Sequence, residues 1–395
     1  MKTISSIRNY LILLCAIVSC NNHNQVKFSK LETIDLDKGL KNKKELVLSQ
    51  IATDIQYIPL ETKKECLITS VSQIFTFRDR IIVFDDRQRN IYLFDNKGKF
   101  IRKIGKKGVG PGEYNEAFRV SFNEKDSTIL VKDRDNIFYG LDGTFIHKSK
   151  MFPEMGQIAF LGDNIVFSFG RPGFVLNDNF QIAICDKNFN VHSRFIDRKS
   201  ENITTKNIGK IMGNMMNHLQ YFTDTLSYWE YKYDTIFRIP DMNTCFPRYT
   251  FNYSGKQGLS EHPEESQARV IEKLIETNSY IFLQLFDPSG TSAETIDNEM
   301  IYVKKTKEIL TLKFRDNIRG MINDIDGGPD VLPRKSLKDG RIYTSFSSFN
   351  LKKILLEEPY RRIKPLNSEK QKELRQITDN SKIEDNPVIM IITLK

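Results

Sequence analysis

The sequence is poor in the residues that build metal-held or disulfide-held folds. Its 395 residues include five cysteines, one tryptophan and five histidines. No Cys-x-x-Cys pair and no Cys/His spacing typical of a zinc site occurs. Two cysteines fall in or next to an N-terminal leader, which leaves Cys66, Cys185 and Cys245 at wide spacing. We expect these three to be buried thiols, with a single disulfide as the alternative.

The histidines form no recognisable catalytic or zinc-binding set along the chain. A zinc site would need converging imidazoles. The five are far apart in sequence: His23, His147, His192, His218 and His262. His147 and His192 occupy matching positions in predicted outer strands, and only His218 lies near a predicted inner strand. The sequence therefore predicts no catalytic residues and no cofactor.

The charge pattern is that of an ordinary protein surface. Charged residues make up 28% of the chain, and the net charge of +9 is spread over lysines and arginines that alternate with acids. We interpret them as a solvated surface, with a localised anion-binding patch as the alternative. No basic motif interleaved with aromatics occurs, so nucleic acid is not an expected partner.

The first twenty residues have the pattern of a lipoprotein leader. Lys2 and Arg8 precede a short apolar run at residues 11–18, which is too short to span a membrane. Ser19 and Cys20 end a sequence resembling the signal-peptidase site of bacterial lipoproteins. We predict a signal peptide at 1–19, lipidation of Cys20, a flexible tether at 20–45 and one domain at 46–395. An ordinary secretory signal is the alternative.

One stretch, residues 81–114, sets the pattern for the domain. Two short apolar, β-branched and aromatic runs at 81–84 and 91–94 are separated by a polar break. Asp95, Asn96 and Gly98 then supply hairpin chemistry before Phe100 resumes the apolar pattern. Runs of this length predict strands.

The hairpin recurs down the chain at intervals suited to propeller blades. The equivalent positions are Phe100, Phe145, Val191, Cys245 and Ile309. Successive positions in this series are 45, 46, 54 and 64 residues apart. Four-stranded units repeating every 40 to 50 residues or so are typical of β-propellers. We predict an all-β, six-bladed β-propeller. We expect residues 55–60 to pair with the apolar final run, 387–394, and so close the ring.

Two segments depart from the β pattern. Residues 260–277 place apolar side chains at helical spacing, with Ser260 as a cap, and predict an amphipathic helix inserted between blades. That helix either packs on the rim or acts as a lid. Residues 368–378 predict a short polar helix near the C-terminus.

Two loops invite a ligand interpretation. Gly105 to Tyr114 is rich in glycine, but no Lys-Ser/Thr follows it, so we interpret it as the crossing between blades and not as a phosphate-binding loop. Asp324 and Asp326 lie in a carboxylate-rich loop that is a weak calcium candidate, because hard cations take oxygen ligands. A plain loop is the alternative.

These features together resemble a known group, the six-bladed β-propeller lipoproteins of Bacteroides-type bacteria, which are similar to NHL-repeat propellers. The resemblance rests on the leader, Tyr57-Ile58-Pro59-Leu60, the hairpin at 94–100, Gly108-Val109-Gly110-Pro111-Gly112-Glu113-Tyr114 and the loop at 324–329. It implies the fold and a cell-envelope address, and it implies no activity.

Three functions follow as hypotheses. The favoured one is a lipid-anchored binding module for an unidentified ligand or for a protein or glycan partner. The alternatives are a calcium-dependent propeller hydrolase or lyase, and a purely structural envelope protein. Residues 21–25 carry no acid, which by the resemblance favours an outer-membrane lipoprotein facing the periplasm, with the membrane as a partner through its lipid.

Overall fold

A computed structural model describes residues 30–149, 156–169, 180–197, 217–230, 234–254, 269–287, 297–314, 319–357 and 363–395. The predicted leader and the lipidation of Cys20 lie outside these residues, as do His23 and His262. Strands hold 51% of the residues and helices 12%, arranged as six blades in a ring. The prediction of an all-β, six-bladed propeller is confirmed.

Blades 1 to 3 are four-stranded antiparallel sheets whose strands follow each other in sequence. Blade 1 consists of β4 (Gln73–Phe77), β5 (Arg80–Asp85), β6 (Asn90–Asp95) and β7 (Phe100–Lys103). Blade 2 consists of β8 (Arg119–Asn123), β9 (Thr128–Lys132), β10 (Asn136–Gly140) and β11 (Phe145–Ser149). Blade 3 consists of β12 (Gln157–Leu161), β13 (Asn164–Ser168), β14 (Phe180–Cys185) and β15 (Val191–Asp197).

Blades 4 to 6 repeat this order; blades 4 and 5 each take a fifth strand from the N-terminal segment, and blade 6 takes its fourth strand from it. Blade 4 consists of β16 (Asn217–Phe222), β17 (Thr225–Glu230), β18 (Thr235–Asp241) and β19 (Thr244–Asn252). Blade 5 consists of β20 (Val270–Glu276), β21 (Tyr280–Phe286), β22 (Asp297–Val303) and β23 (Glu308–Leu312). Blade 6 consists of β24 (Lys335–Ser336), β25 (Ile342–Phe346), β26 (Val388–Leu394) and β3 (Ala52–Pro59).

The ring closes between the two ends of the domain, as the sequence predicts. The last strand, β26, pairs antiparallel with β3, and Ile389 lies opposite Ile58. Because β3 forms the outer strand of blade 6, strands from the two ends of the domain are joined in one sheet. Closure of this kind removes the open edge that would otherwise invite pairing with another chain.

Alternation along each strand builds the core between blades. Ile81 and Val83 of β5 pack with Tyr343 of blade 6, whereas Ile82 and Phe84 pack with residues of blade 2. Successive side chains of a strand point to opposite faces of its sheet, so one strand serves two interfaces. Each such side chain contributes about 1.5–3 kcal/mol when fully buried.

The segment before β3 differs from the predicted tether. β1 (Glu32–Asp35) pairs in parallel with β19, α1 (Leu36–Lys41) follows it, and β2 (Lys43–Lys44) pairs in parallel with β23. We call residues 32–44 the N-terminal strap. Its few apolar side chains, such as Leu36, are buried between blades 4 and 5. The strap therefore belongs to the domain, and the predicted boundary at residue 45 is too late.

The helix predicted at 260–277 is wrong over its described part, because Val270–Glu276 forms β20, the innermost strand of blade 5. A register shift between Ile271 and Lys273 places Ile271 and Leu274 on one buried face. A bulge inserts one extra residue, so the apolar spacing of three imitates a helix. Residues 260–268 lie outside the described part of the chain.

Within the described residues between β25 and β26 there are two helices. They are α2 (Ser348–Leu356), capped by Ser347, and α3 (Ser368–Asn380), capped by Asn367. The short helix predicted near the C-terminus is confirmed as α3, whereas α2 is not predicted. Residues 48–50, just before β3, form a 3₁₀ turn. None of the helices in the described ranges is long and apolar enough to cross a membrane.

Candidate functional site

The first strand of every blade is an inner strand, and these six strands surround a central channel. Each of them lies at one edge of its sheet, and β8 contacts β12, β12 contacts β16 and β20 contacts β24. The channel holds a cavity of about 440 Å³ with lining residues from all six strands. Its polar lining includes Gln73, Thr76, Arg119, Gln157, Gln220 and Lys335.

The channel has two chemically different ends. Because every blade repeats the same strand order, the inner strands all begin on one face of the ring. We call the end near Arg119, Lys335 and Asp86 on that face the cationic mouth. The opposite end, near Glu124, Tyr221 and Lys338, is the far mouth. All six of these residues line the cavity.

Lys335 at the cationic mouth is held by backbone carbonyls. Its Nζ donates to the carbonyl oxygen of Val71 at 3.0 Å and also to that of Ser72. Burial lowers the pKa of this ammonium, and the carboxylate of Asp86 acts in the opposite direction. The lysine thus joins blade 6 to the segment before blade 1 while its charge faces the channel.

Arg119, the first residue of β8, is the second cation of this mouth. Its Nη1 donates to the carbonyl oxygen of Phe118 at 2.8 Å. Its Nε is buried and makes no hydrogen bond within the part of the chain that the structure describes. Burial lowers the pKa of the guanidinium, and the like charge of Arg89 adds to that effect. An arginine nevertheless stays protonated at any ordinary pH.

Arg334 lies just before β24 and is fully paired. Its Nη1 donates to Oε2 of Glu299 at 2.8 Å, and its Nη2 donates to Oε1 of the same carboxylate. Glu299 is buried on β22 of blade 5. This two-pronged geometry is the strong form of an arginine–carboxylate bond. Arg334 therefore forms part of the cavity wall, and Glu299 neutralises its charge.

The far mouth is bridged by a second ion pair. Nζ of Lys338 lies 2.9 Å from Oε2 of Glu124. The lysine follows β24 in blade 6, the glutamate follows β8 in blade 2, and the two blades are not neighbours in the ring. The same ammonium lies 5.7 Å from the ring centre of Tyr221 in blade 4. Three alternate blades thus meet over the channel at this end.

Of the histidines within the described ranges, His218 lies in the channel. It belongs to β16 and lies against Trp229, with 5.3 Å between ring centres. Burial lowers the pKa of its imidazole to about 4, so the ring is neutral at neutral pH. Its Nε2 makes no hydrogen bond within the described residues. His147 and His192 lie on the outermost strands β11 and β15, as predicted.

A buried ion cluster lies between blades 4 and 5 near the far mouth. Oε1 of Glu276 accepts from Nη2 of Arg238 at 2.6 Å and from Nζ of Lys304 at 2.7 Å. Its Oε2 accepts from Ser227 at 2.6 Å. Both cations also lie over the ring of Phe222, at 3.6 Å for Arg238 and 4.3 Å for Lys304. These contacts join the two blades.

The glycine-rich loop at 105–114 is a packed crossing between blades 1 and 2. Gly112 has a φ of 72°, and a Cβ there would lie 2.8 Å from the Phe145 ring. The carbonyl of Gly112 accepts from the hydroxyl of Tyr139 at 2.9 Å, and Tyr114 is buried against Tyr139. The left-handed backbone and the close ring explain why glycine occupies this position.

The two aspartates of the predicted calcium loop make protein contacts. Asp324 accepts from the backbone N–H and the hydroxyl of Ser49, at 2.9 and 2.6 Å. Asp326 is buried, its Oδ1 accepts from Asn323 and Gly328 at 2.6 and 2.8 Å, and burial raises its pKa. Across the described ranges, no three His, Cys, Asp or Glu side chains converge to hold a metal ion. Calcium binding here remains a prediction.

A family model decides how the chain is classified. The model is described as a domain of unknown function, DUF4934, and it matches residues 31–393. The chain belongs to this family. The matched region begins at the N-terminal strap, so the strap is part of the DUF4934 domain. No curated protein matches the chain.

Solved structures similar to this DUF4934 protein share its fold. A protein of Bacteroides fragilis described as exported has a TM-score of 0.68 at 16% identity, and the match covers 92% of this chain and 99% of that one. A DUF4221 family member from Bacteroides vulgatus has a TM-score of 0.52 at 13% identity, with coverage of 90% and 98%. At such identities the likeness concerns the fold alone.

The sequence did not identify the channel residues of this DUF4934 protein. Arg119, Lys335 and Lys338 each lie in an ordinary mixture of charged residues, and no spacing singles them out. The position of such a residue within its blade could have identified it. Arg119 is the first residue of the first strand of blade 2, and the first strand of each blade lines the channel.

Proposed function

We propose that this DUF4934 protein is a lipid-anchored binding module of the cell envelope whose central channel holds a ligand. The observation that carries the proposal is a cavity of about 440 Å³ to which all six inner strands contribute. Cavities of about 300–1,000 Å³ suit small molecules. A protein or glycan partner would place only a terminal group in a cavity of this size.

The difference between the two mouths supports a direction of access. The Lys338–Glu124 pair bridges non-neighbouring blades over the far mouth. The cationic mouth has charged groups, Asp86 and Lys335, that no described ion pair joins across the channel. We infer that the ligand enters by the cationic mouth.

The proposed address rests on the leader and on the structural relatives. Residues 1–20 have the lipoprotein pattern, and the B. fragilis protein of the same fold is described as exported. We place the protein in the outer membrane, facing the periplasm, because the residues after Cys20 carry no acid. Replacing Cys20 by Ser should release the protein from the membrane fraction, and continued membrane partition would contradict the anchor.

A calcium-dependent hydrolase or lyase is the alternative function. In such an enzyme, Asp324 and Asp326 would supply oxygen ligands to the calcium ion. The hydrogen bonds from Ser49 to Asp324 favour a structural role for that loop. Elemental analysis decides between them: one calcium per chain that is lost in Asp326→Asn would favour the enzyme.

The binding proposal is tested by blocking the channel. The mature protein with Cys20→Ser is expressed in its native host, purified from the periplasm and examined by native mass spectrometry. Gln157→Trp places a large ring in the cavity lining, whereas Ile146→Trp places it on the exposed outer strand β11. We expect a bound mass in the parent and in Ile146→Trp, and its loss in Gln157→Trp. Equal retention in all three would overturn the proposal.

A further inference from the structure

The charges that line the channel are unequally compensated. Among the described residues, four cationic side chains line the cavity: Arg119, Arg334, Lys335 and Lys338. Two of them have carboxylate partners, since Arg334 is paired with Glu299 and Lys338 with Glu124. The remaining two, Arg119 and Lys335, both belong to the cationic mouth.

Neither of those two cations forms an ion pair with a carboxylate in the described part of the chain. Lys335 donates to the neutral carbonyls of Val71 and Ser72. Arg119 donates to the carbonyl of Phe118, and its buried Nε has no hydrogen-bond acceptor among the described residues. Asp86 lies close enough to influence both but contacts neither.

This arrangement leaves an excess positive charge in a partly enclosed cavity. Among the residues that the structure describes, two cations face one carboxylate at the cationic mouth, a net charge of about +1 for these three side chains. Partly buried charges are normally paired, because loss of hydration is otherwise uncompensated. Charge interactions are also stronger in such a cavity than in open water. An anion from outside would supply the missing compensation.

We propose that the channel recognises an anion, a small molecule or terminal group bearing a carboxylate or a phosphate, and that Arg119 and Lys335 bind it. This assignment rests on the proposed function of the channel and names the chemistry of its ligand. Both anions suit the two cations: a guanidinium offers a planar set of donors, and an ammonium acts as a point charge.

Inorganic phosphate and acetate are the probes, with acetamide as the uncharged match for acetate. Each is titrated into the Cys20→Ser protein at constant ionic strength, with chloride as the balancing anion, and the melting temperature is followed. A ligand that binds the folded state raises the melting temperature with concentration. We expect stabilisation by phosphate or by acetate and none by acetamide, and whichever anion stabilises identifies the group.

Two channel variants and one surface variant locate the binding. Arg119→Gln and Lys335→Gln should each weaken the apparent affinity for the anion at least tenfold, because each removes a charged donor. Lys313→Gln, just after β23 and exposed, should leave it unchanged. In the absence of anion, Arg119→Gln should melt no lower than the parent, because it removes an uncompensated charge. A structural role for Arg119 would lower that melting temperature.

The outcomes separate this inference from the broader proposal. Anion stabilisation that persists in both channel variants would overturn the assignment to Arg119 and Lys335. Absence of any anion effect, together with a bound mass that Gln157→Trp removes, would refute an anionic ligand while leaving channel binding intact. A bound mass retained in Gln157→Trp would refute both. Should Arg119→Gln fail to fold, Lys335→Gln tests the assignment independently.

Discussion

Lys338 and Glu124 form an ion pair, 2.9 Å between Nζ and Oε2, that joins blade 6 to blade 2 past the intervening blade 1. The two residues are 214 positions apart in the chain. They meet only because β3 and β26 close the ring. The presence of this pair therefore tests both the closure of the ring and the structure of the far mouth.

A double-mutant cycle should detect this pair. Lys338→Met and Glu124→Gln, made singly and together, should show a coupling of about 0.5–1 kcal/mol in urea unfolding, because both side chains are about one-third exposed. The coupling should fall at high salt. The matched control is Lys125 with Asp163, whose side chains are 65% and 57% exposed, and its coupling should be close to zero. Equal couplings would contradict the bridging role.

Glu276 should be the most costly charged residue to replace between blades 4 and 5. Glu276→Gln leaves Arg238 and Lys304 without their shared carboxylate, and breaking a buried pair costs about 3–5 kcal/mol. Urea unfolding at pH 7 measures this loss. Glu308→Gln is the control: its pair with Lys44 is exposed, so we expect less than about 1 kcal/mol.

The difference in unfolding free energy between the parent and Glu276→Gln should change with pH in a definite direction. Burial by itself would raise the pKa of Glu276, but Lys304 and Arg238 outweigh it and hold the pKa below its ordinary value. A carboxyl whose pKa is lowered by folding stabilises the protein above its unfolded-state pKa, about 4.5, and this contribution is lost as the pH falls through the folded-state value. A difference in unfolding free energy between the parent and Glu276→Gln that increases at acid pH would contradict the ion cluster.

His218 should make the protein sensitive to mild acid. Its folded-state pKa of about 4 lies below the ordinary value of 6.5, so between these values the unfolded chain binds a proton that the folded protein does not. Stability is therefore lost as the pH falls from 6.5 toward 4, by up to about 3 kcal/mol. His218→Phe should remove this loss, and His218→Gln should do the same although its contact with Trp229 differs. A parent-like acid profile in both variants would exclude His218 as the cause.

The N-terminal strap should contribute to the stability of the folded domain. Leu36 is fully buried among residues of blades 4 and 5, so Leu36→Ala should cost about 2–5 kcal/mol in thermal or urea unfolding. Leu31, just before the strap, is 46% exposed, and Leu31→Ala should change stability by less than about 0.5 kcal/mol. Similar small effects in both variants would show that the strap is only loosely attached.

The local sequence is sufficient to predict the strands of most blades. Strands β5 and β6 carry unbroken apolar runs, and the turn at Asp95–Gly98 has the residues that its backbone requires, so this hairpin can be predicted from its own residues. The closing pair β3 and β26 could also be predicted, because an apolar last strand needs a buried place.

The strap, the inner strand β20 and the channel could not be predicted, for physical reasons. The strap is mostly polar, with only a few buried apolar side chains, and its parallel backbone pairing with β19 and β23 has no side-chain signature. In β20 a bulge shifts the apolar spacing toward that of a helix. The channel gathers residues such as Arg119 and Lys335 from strands more than 200 positions apart, so no local pattern marks them.

The most direct test of the account is a crystal structure of the mature protein purified, without denaturation, from its native cell envelope. The account predicts non-protein density within the channel, in contact with Arg119 and Lys335 at the cationic mouth. A channel that contains only ordered water, with a copurified molecule bound elsewhere on the propeller, would contradict it.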